Sequence, residues 1–538
     1  MLTIITGRAG TGKTTEIFRR VAAGVAERRR QIVIVPETRS HETERRLLLT
    51  CGNGAGRLAA VTTFTKLSGE ILREAGRDAA VLDGGGRILL MHRAVSDART
   101  ALRYFRGPLR PELLQRLLAA ADELKACMVS PDDLLAVCAA LPDKLYDIAQ
   151  VYACYCAVCA REGMDGKDII TQAGEALGET ELCRGADVYV DGFAGLTRQE
   201  YALLGGLCGR AHSVCAALLL GEDEQLFAEQ YKTLGRLTRL GESAAGGCRR
   251  VDLPPREVGK PELRHLEKSL YAFDAAPFEG ECQAIRLYNA SDPDGECELA
   301  AGLIRRLLLD GARARETAVV CGADDLYAER LENACERYGV PVFVSRQQDI
   351  LKKPAFLGAL GGLRALLDGL RPESVLPWLK SGLCGLQRDE RERLENYLLT
   401  WSIAGGRWRE EWKLPPGGFS GGEDDGEALA ALNELRLRIW RPLERLSAAL
   451  DACRTGADLA NAMLEHWRDT ELEQRLDERV EALLAAGRSR EAAEYAQLYD
   501  ILLSAVDQFI LIVGEQTMDK EQFEGLLRLM LSQYDVGS

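Results

Sequence analysis

The sequence predicts an α/β fold with a parallel sheet, and three observations predict it. A short apolar, β-branched run at the amino terminus leads into a glycine-rich turn and then into a helical pattern. Similar apolar runs recur between helical patterns, and strands that alternate with crossover helices form a parallel sheet. The alternation returns in a later region of a chain of 538 residues, which is long enough for several domains. We therefore expect two α/β units.

The first turn carries the most specific motif of the chain. After the run Met1–Thr6, the pattern GxxxxGK[ST] occupies residues 7–14, and a helical pattern begins at Thr15. Glycines let backbone amides turn toward phosphate oxygens, and the helix N-terminus adds its dipole. In such a loop Lys13 would reach the β- and γ-phosphates, and the Thr14 hydroxyl would bind Mg²⁺. The chain is thus predicted to be a P-loop NTPase. Its predicted nucleotide-binding residues are Gly7, Arg8, Ala9, Gly10, Thr11, Gly12, Lys13 and Thr14.

The remaining elements are predicted from the same periodicities. In the first unit, further strands are predicted at 31–35, 57–64, 187–190 and 213–220, whereas 84–172 is helical and 241–259 has the composition of a loop. In the second unit, strands are predicted at 284–290, 317–322 and 340–344, with helices at 296–309 and 327–338. From 354 onward the pattern is helical, apart from a Gly/Pro-rich break at 414–426.

These patterns divide the chain into four regions. The first α/β domain comprises 1–83 and 173–280, and 84–172 is a helical insertion within it. The second α/β domain occupies 281–353, and a second helical insertion follows at 354–538. Because no strand is predicted after this insertion, we expect the second domain to be incomplete and the chain to be the amino-terminal part of a longer protein.

Composition limits the classes of protein to consider. Hydrophobic residues at 46% and charged residues at 28% are typical of globular proteins. No apolar stretch is expected to approach the roughly 20 residues of a membrane span, so no membrane partner is predicted. Sixteen cysteines beside a nucleotide-binding loop indicate a cytoplasmic protein with reduced thiols. The net charge of −14 leaves nucleic-acid binding to local basic surfaces.

One cysteine cluster has both a metal-binding and a structural interpretation. Cys154, Cys156 and Cys159 form C-x-C-x-x-C in a segment with a helical pattern. A helix would spread the three side chains around its axis, and no fourth ligand or histidine pair lies nearby. Buried thiols are therefore the preferred interpretation.

Basic and aromatic side chains also have two interpretations. The arginines could contact nucleic acid, but a solvated helix face is the favoured alternative for each group. The tryptophans of the second insertion could stack on bases, but packing in a core is favoured. The arginine groups are Arg28, Arg29 and Arg30, and the series Arg99, Arg103, Arg106, Arg110 and Arg116. The tryptophans are Trp378, Trp401, Trp408 and Trp412.

Several segments resemble superfamily-one DNA helicases, and more closely the AddB family of helicase–nuclease subunits. GRAGTGKTT resembles motif I, VIVPETRSHETERRL the motif Ia region, and VTTFTKLSGEILREAG motif Ib. VYVDGFAGLTRQE is similar to the AddB form of motif II, and WLKSGLCGLQRDERERLENYLLTWSIAGGRW also resembles AddB. The resemblance covers essentially all 538 residues. It implies superfamily-one helicase architecture, in which two RecA-like domains each carry an inserted helical domain.

The resemblance also implies roles for individual residues. Thr63 and Phe64 would lie on the track of single-stranded DNA. Lys13 and Asp191 would form the catalytic centre, with Asp191 organising Mg²⁺. Gln225, in the motif III-like LLLGEDEQLF, would lie near the γ-phosphate.

Two departures from the helicase pattern imply weak hydrolysis. Gly192 follows Asp191, where a working motif II has the glutamate that acts as base for the attacking water. The nearest following acid is Glu200, and Gly322 stands where active motors carry a motif IV arginine. A degenerate motor site is therefore expected.

Partners and cofactors follow from the same resemblance. AddB proteins resemble a motor whose unwinding function has decayed, and their partner AddA supplies translocation. The resemblance implies that the heterodimer is an ATP-dependent helicase/exonuclease that processes double-strand breaks for recombinational repair. The resemblance implies ATP, Mg²⁺, single- and double-stranded DNA ends, and scanning of the single strand for a Chi sequence. The nuclease domain and a [4Fe-4S] cluster are expected only in a C-terminal half outside these residues, so no iron–sulfur ligand is predicted here.

Two other interpretations of the motif remain open. A nucleotide-dependent kinase would use the same P-loop, although it would not need the long remainder of the chain. A structural scaffold with a vestigial P-loop would dock its partner without binding nucleotide. The intact Lys13 and Thr14 favour retained nucleotide binding.

Overall fold

A computed structural model describes residues 1–52, 56–77, 81–107, 109–244, 246–255, 259–272, 274–344, 354–418 and 425–534. The chain divides into two compact units. The larger contains residues 1–7, 13–253 and the described part of 349–538. The smaller contains residues 8–12 and the described part of 254–348.

The larger unit contains a six-stranded sheet in which every pairing of neighbouring strands is parallel, as the sequence predicts. Its order is β3-β2-β6-β7-β1-β8. The strands are β1 (Leu2–Gly7), β2 (Gln31–Ile34), β3 (Ala59–Thr62), β6 (Asp187–Val190), β7 (Ser213–Leu219) and β8 (Cys248–Asp252). Two further strands, β4 (Val81–Leu82) and β5 (Met164–Asp165), form a separate parallel pair that the sequence analysis missed.

Three of the four interior strands are almost continuously apolar, which favours their burial in the sheet. β1, β2 and β6 have buried side chains on both faces, the pattern expected of parallel strands covered by helices. One face packs around Ile4, Ile34 and Val188, and the opposite face around Ile5 and Val33. The sheet is therefore an α/β core with two hydrophobic layers.

Helices account for most of the rest of the chain. Those before the smaller unit are α1 (Lys13–Ala26), α2 (Ser40–Cys51), α3 (Phe64–Glu74), α4 (Gly84–Ala98), α5 (Pro111–Ala126), α6 (Pro131–Cys138), α7 (Asp143–Glu162), α8 (Ile169–Ala176), α9 (Arg198–Arg210) and α10 (Ala228–Ser243). The smaller unit contains α11 (Pro261–Ser269), α12 (Pro293–Leu309) and α13 (Asp324–Arg337). The carboxyl-terminal region contains α14 (Pro354–Leu367), α15 (Pro372–Lys380), α16 (Arg388–Trp401), α17 (Asp425–Ala452), α18 (Gly456–Asp469), α19 (Leu472–Ala485), α20 (Ser489–Ala496), α21 (Leu498–Val513) and α22 (Lys520–Leu531).

The two predicted helical insertions share one hydrophobic core. Leu89 and Tyr155 of the first lie in the same buried cluster as Phe356, Phe509 and Phe523 of the second. Helix α4 packs directly on α21 and α22. The sequence patterns predicted both helical regions but not their association, because periodicity defines the buried face of a helix and not its partner.

Strand β8 corrects the prediction of a loop at 241–259. Residues Cys248–Asp252 pair in parallel with β1 at the edge of the sheet. Arg249 and Arg250 are exposed there, and Gly and Pro residues flank the segment. An edge strand tolerates such polar residues, so this strand lacks the apolar pattern from which strands are predicted.

The smaller unit corrects three strand predictions. Its described residues contain helices α11–α13 but no strand, and the segments predicted as strands at 284–290, 317–322 and 340–344 are irregular. Apolar side chains in these segments are exposed, with Leu287 98%, Val320 94% and Phe343 77% accessible. β-Branched composition shows that a segment suits a sheet, but a strand also needs a neighbour to share its hydrogen bonds.

One stretch corrects the expectation about apolar length. Glu491–Val513 is 23 residues long and contains an 18-residue window with a mean hydropathy of 1.5, so it is long and apolar enough for a membrane-spanning helix. Its residues Leu502, Val506 and Phe509 are buried in the core shared by the two helical regions. Packing against α4 and α18 accounts for its apolar face.

Candidate nucleotide-binding site

The predicted catalytic residues of the larger unit lie at one edge of the sheet. Parallel strands end at the same edge, which is where ligands bind in open α/β sheets. β1 ends at Gly7 and β6 ends immediately before Asp191, and β7 lies between these two strands. Gly7 and Asp191 therefore lie at the ends of two strands that are separated by β7. Gln225 follows β7.

Lys13 already contacts the end of β1. Its Nζ donates a hydrogen bond to the carbonyl oxygen of Gly7 at 2.7 Å, and the side chain is half-buried. The same carbonyl accepts the N–H of Leu220 at 3.1 Å, which ties β1 to the end of β7. The ammonium group is therefore held at the strand end, where the sequence motif predicts a phosphate group.

The turn between β1 and α1 depends on two glycines. Gly10 and Gly12 have φ angles of 75° and 93°, a left-handed region that other residues enter at a cost of about 1–2 kcal/mol. No heavy atom lies within 4 Å of a β-carbon built at Gly10. The backbone there is open to an approaching group, as a phosphate cradle requires.

The side chains of this turn have their own contacts within the smaller unit. Arg8 Nε donates to Glu267 Oε1 at 3.0 Å, and its Nη2 donates to the Glu267 carbonyl oxygen at 2.7 Å. Thr11 is buried and its Oγ1 donates to the Arg8 carbonyl oxygen at 3.0 Å. Glu267 lies in α11, far along the chain, and no sequence motif indicated it.

Asp191 extends the pairing of β6 and then the backbone turns sharply. Its N–H donates to the carbonyl oxygen of Ile34 at 3.0 Å, and the residue is buried. The following Gly192 has a φ of 85°. A β-carbon at Gly192 would lie 3.0 Å from Arg39 Nη1 and 3.4 Å from Pro36 Cδ. The left-handed backbone and the close neighbours at this position both favour glycine.

Glu200 is engaged in capping a helix. Its Oε2 accepts the N–H of Thr197 at 2.7 Å, while the Thr197 hydroxyl accepts the N–H of Glu200 at 3.3 Å. This reciprocal capping box begins α9 and satisfies two of its free amides. Glu200 consequently has a structural role that accounts for its position.

Gln225 lies in an exposed turn after β7. Asp223 Oδ1 accepts the N–H groups of Gln225 and Leu226 at 2.9 and 3.0 Å. Phe227 anchors the end of this turn because it is buried. The Gln225 side chain is exposed at the same edge of the sheet as Asp191, and its predicted role stays a prediction.

The structure buries both predicted DNA-track residues. Thr63 caps α3, since its hydroxyl accepts the N–H of Lys66 at 3.2 Å. Phe64 is only 3% exposed and packs edge-to-face on Phe193, with the ring centroids 5.4 Å apart. Phe64 therefore presents no free face to a base in this structure, and the predicted contact with DNA stays a prediction.

Comparison with known proteins identifies the family. Residues 4–267 match the family described as "ADDB, N-terminal". This amino-terminal part belongs to the AddB family. The match includes Gly7–Thr14, Thr63, Phe64, Asp191 and Gln225.

Relatives extend the similarity to AddB proteins beyond that part. A protein from Acetivibrio thermocellus, named as a subunit of ATP-dependent helicase/deoxyribonuclease, is 27% identical over an alignment covering 100% of this chain and 49% of the relative. Proteins of the same name from Desulforudis audaxviator and Clostridium perfringens are 29% and 26% identical, over 98% and 100% of this chain and 48% and 49% of the relatives. The chain spans about half the length of these curated relatives.

The cysteine cluster lies on α7. Cys159 is buried, while Cys154 and Cys156 are partly buried against the shared helical core. Burial raises the pKa of all three thiols, that of Cys159 to about 12. Neutral thiols are poor metal ligands, so these contacts support the structural interpretation.

The tryptophans predicted to pack do so. Trp408 and Trp412 lie edge-to-face in a buried cluster, and Tyr397 stacks on Trp412 with the centroids 4.8 Å apart. Trp378 is buried in the same cluster, and the partly buried Trp401 packs against it. The prediction of a tryptophan core is confirmed.

Proposed function

We propose that the chain binds ATP with Mg²⁺ at a P-loop in a RecA-like domain and hydrolyses it slowly. The supporting observation is the edge that carries Lys13 at the end of β1, Asp191 at the end of β6, and glycine in place of the catalytic acid. A working motor site needs all three features of motif II, namely metal organisation, a base and room for the attacking water. In this proposal Asp191 organises the metal, and Gly192 supplies no base.

Particular residues would hold the ligand. The amides of residues 9–13 would surround the phosphates, Lys13 would move from the Gly7 carbonyl to the phosphate oxygens, and Thr14 and Asp191 would hold Mg²⁺. The ion would neutralise charge on the β- and γ-phosphates. The left-handed glycines and the half-buried Lys13 and Thr14 fit this assignment.

We further propose that the chain is the helicase-like part of an AddB-type protein. Its relatives are named as subunits of ATP-dependent helicase/deoxyribonuclease, which supports a role as one subunit of a complex that acts on DNA. An AddA partner, DNA ends as substrate and a cytoplasmic location are part of this proposal. In this proposal these residues bind single-stranded DNA and have no nuclease activity. The kinase alternative is not favoured by relatives that match the whole chain.

The test is nucleotide binding and turnover by the purified chain. A fluorescent ATP analogue would be titrated with Mg²⁺, and phosphate release would be followed with and without single-stranded DNA. Lys13→Ala should abolish binding, while Lys232→Ala, at an exposed lysine paired with Glu229, should leave it unchanged. Turnover by the parent chain should be negligible.

Each other outcome has a defined meaning. Absence of nucleotide binding by the parent chain would favour a scaffold with a vestigial P-loop, and binding that does not depend on Lys13 would place the nucleotide elsewhere. Brisk turnover stimulated by DNA would show that the site has a functional base, and the slow-hydrolysis proposal would be wrong.

A further inference from the structure

The loop between α4 and α5 concentrates basic and aromatic side chains. Residues 99–107, 109 and 110 of this loop are described. Tyr104 is 62% exposed, an unusual exposure for a large aromatic side chain in a structured region. The loop contains no aspartate or glutamate, although the whole chain carries a net charge of −14. Its exposed arginines are Arg99, Arg103, Arg106 and Arg110.

A buried carboxylate fixes the backbone of this loop. Asp147, fully buried on α7, accepts the N–H groups of Arg103, Tyr104 and Phe105 at 2.8, 2.7 and 2.8 Å. Hydrogen bonds to an ionised acceptor are about twice as strong as neutral ones. Three consecutive amides converging on one carboxylate therefore give the loop a defined shape, and its side chains are displayed from a fixed backbone.

The two neighbours of Tyr104 leave its ring at the surface. Arg103 lies over the ring of Tyr146 at 3.7 Å from the centroid, and its Nη1 is 3.4 Å from Asp143 Oδ1. Phe105 packs on the shared helical core and contacts Tyr104 edge-to-face at 5.1 Å. Tyr104 is thus supported from one side while most of its surface remains accessible.

The ends of the loop flank a cavity in the larger unit. Arg99 and Arg110 line a space of about 320 Å³ between α4, α5 and α22, a volume within the lower range of ligand pockets. Leu114, Met518 and Leu526 give it apolar walls, and Glu521 is its one carboxylate among the described residues. His92 also lines it, and His92 Nδ1 is buried without a hydrogen-bond partner in the described part of the chain.

We propose that this loop and its cavity form a binding site for single-stranded DNA. Tyr104 stacks on one base, Arg99, Arg106 and Arg110 contact phosphates, and the cavity accepts an unstacked base. An accessible aromatic face flanked by arginines suits a strand with exposed bases, whereas an acidic protein surface would use the charges alone. The inference rests on the proposed function only in taking DNA as the ligand, and it does not involve the P-loop.

The test is fluorescence anisotropy of a labelled 20-nucleotide thymidine oligomer at several salt concentrations, without nucleotide. Tyr104→Ala should weaken binding about tenfold, while Tyr104→Phe should retain it, because stacking needs the ring and not the hydroxyl. The triple variant Arg99→Gln/Arg106→Gln/Arg110→Gln should reduce the slope of log affinity against log salt by about 2, since each phosphate contact contributes about 0.7.

A charge-matched triple variant is the control. Arg184→Gln/Arg388→Gln/Arg468→Gln removes the same charge from arginines whose side chains are 69%, 83% and 70% exposed in surface ion pairs. It should leave the salt slope within about 0.5 of the parent value. All substituted loop side chains are exposed, so thermal unfolding should be unchanged.

The outcomes separate this inference from the proposed function. DNA binding by the parent chain that survives both loop variants overturns the loop site alone. Displacement by an acidic peptide with no effect of Tyr104→Ala indicates a protein partner and also overturns it. Absence of DNA binding by the parent chain overturns both this site and the DNA-binding part of the proposed function, whereas nucleotide binding is measured separately through Lys13→Ala.

Discussion

Gly192 faces Arg39 so closely that a β-carbon on Gly192 would lie 3.0 Å from Arg39 Nη1. The two residues follow β6 and β2, which are neighbours in the sheet. Gly192 also has a φ of 85°, so its backbone conformation and its surroundings both favour glycine. The proposed absence of a catalytic glutamate at this position therefore involves the structure around Gly192 and is more than a single change of side chain.

Gly192→Glu should not restore ATP turnover. A side chain at this φ costs about 1–2 kcal/mol, and the contacts with Arg39 and Pro36 add strain. We expect a lower free energy of unfolding and turnover within about threefold of the parent, which corresponds to less than 1 kcal/mol in the barrier. Gly195→Glu is the matched control, because no atom lies within 4 Å of a β-carbon there. A tenfold rise in turnover would show that the backbone rearranges to accept the base.

Glu200→Gln should preserve both stability and the residual turnover. Glutamine can replace glutamate in a capping box, so the bond from the Thr197 N–H is kept. Glu200→Ala should instead lower the free energy of unfolding by about 1 kcal/mol. Phosphate release and urea denaturation measure the two effects. If the glutamine variant lost turnover while remaining stable, Glu200 would be the acting base.

Asp147→Ala should destabilise the loop that carries Tyr104. The substitution leaves three backbone amides without their acceptor, at a cost of about 1 kcal/mol or more each. Amide hydrogen exchange at residues 103–105 should accelerate strongly. Asp143→Ala is the comparison, since its exposed pair with Arg103 contributes about 0–1 kcal/mol. Equal exchange rates in the two variants would contradict the role assigned to Asp147.

His466 should make the stability of the carboxyl-terminal helices depend on pH. Burial lowers its pKa to about 4, against the partial opposing effect of Asp469. The unfolded chain has a histidine pKa of about 6.5, so the neutral form stabilises the folded state above that pH. This contribution, about 3 kcal/mol, is lost as the pH falls from about 6.5 to about 4.

Tryptophan fluorescence during urea unfolding would measure this dependence, because Trp467 directly follows His466 in the sequence and is buried in the folded chain. His466→Gln should flatten the change in stability over that pH interval. His41→Gln, at a fully exposed histidine, should leave it unaltered. A pH dependence that persists in the His466 variant would assign the effect to another group.

Local rules explain the elements that the sequence predicted well. The turn between Gly7 and Lys13 follows from glycine spacing, and the DVYV strand before Asp191 matches β6 in the structure. The helical regions and the tryptophan core also follow from periodicity. These features depend on residues that are near one another in the chain, so one sequence contains the necessary information.

Features that depend on distant partners were missed. Strand β8 exists because β1 offers a free edge, and its arginine-rich composition does not indicate a strand. Nothing in the local pattern indicated that Phe193 packs on the ring of Phe64. The apolar segments of the smaller unit fit strands, yet no strand forms in its described residues. In each case a neighbour absent from the local pattern decides the outcome.

The sequence by itself determined the glycine-rich turn after β1, the parallel α/β core, the helical regions and the glycine that follows Asp191. Only the tertiary structure placed Arg39 against Gly192, assigned Glu200 to a helix cap and brought Asp147 under the loop of Tyr104. The physical reason is that dihedral preferences and hydrophobic periodicity act within a few residues. Steric fit and the pairing of buried polar groups act between segments that meet only when the chain is folded.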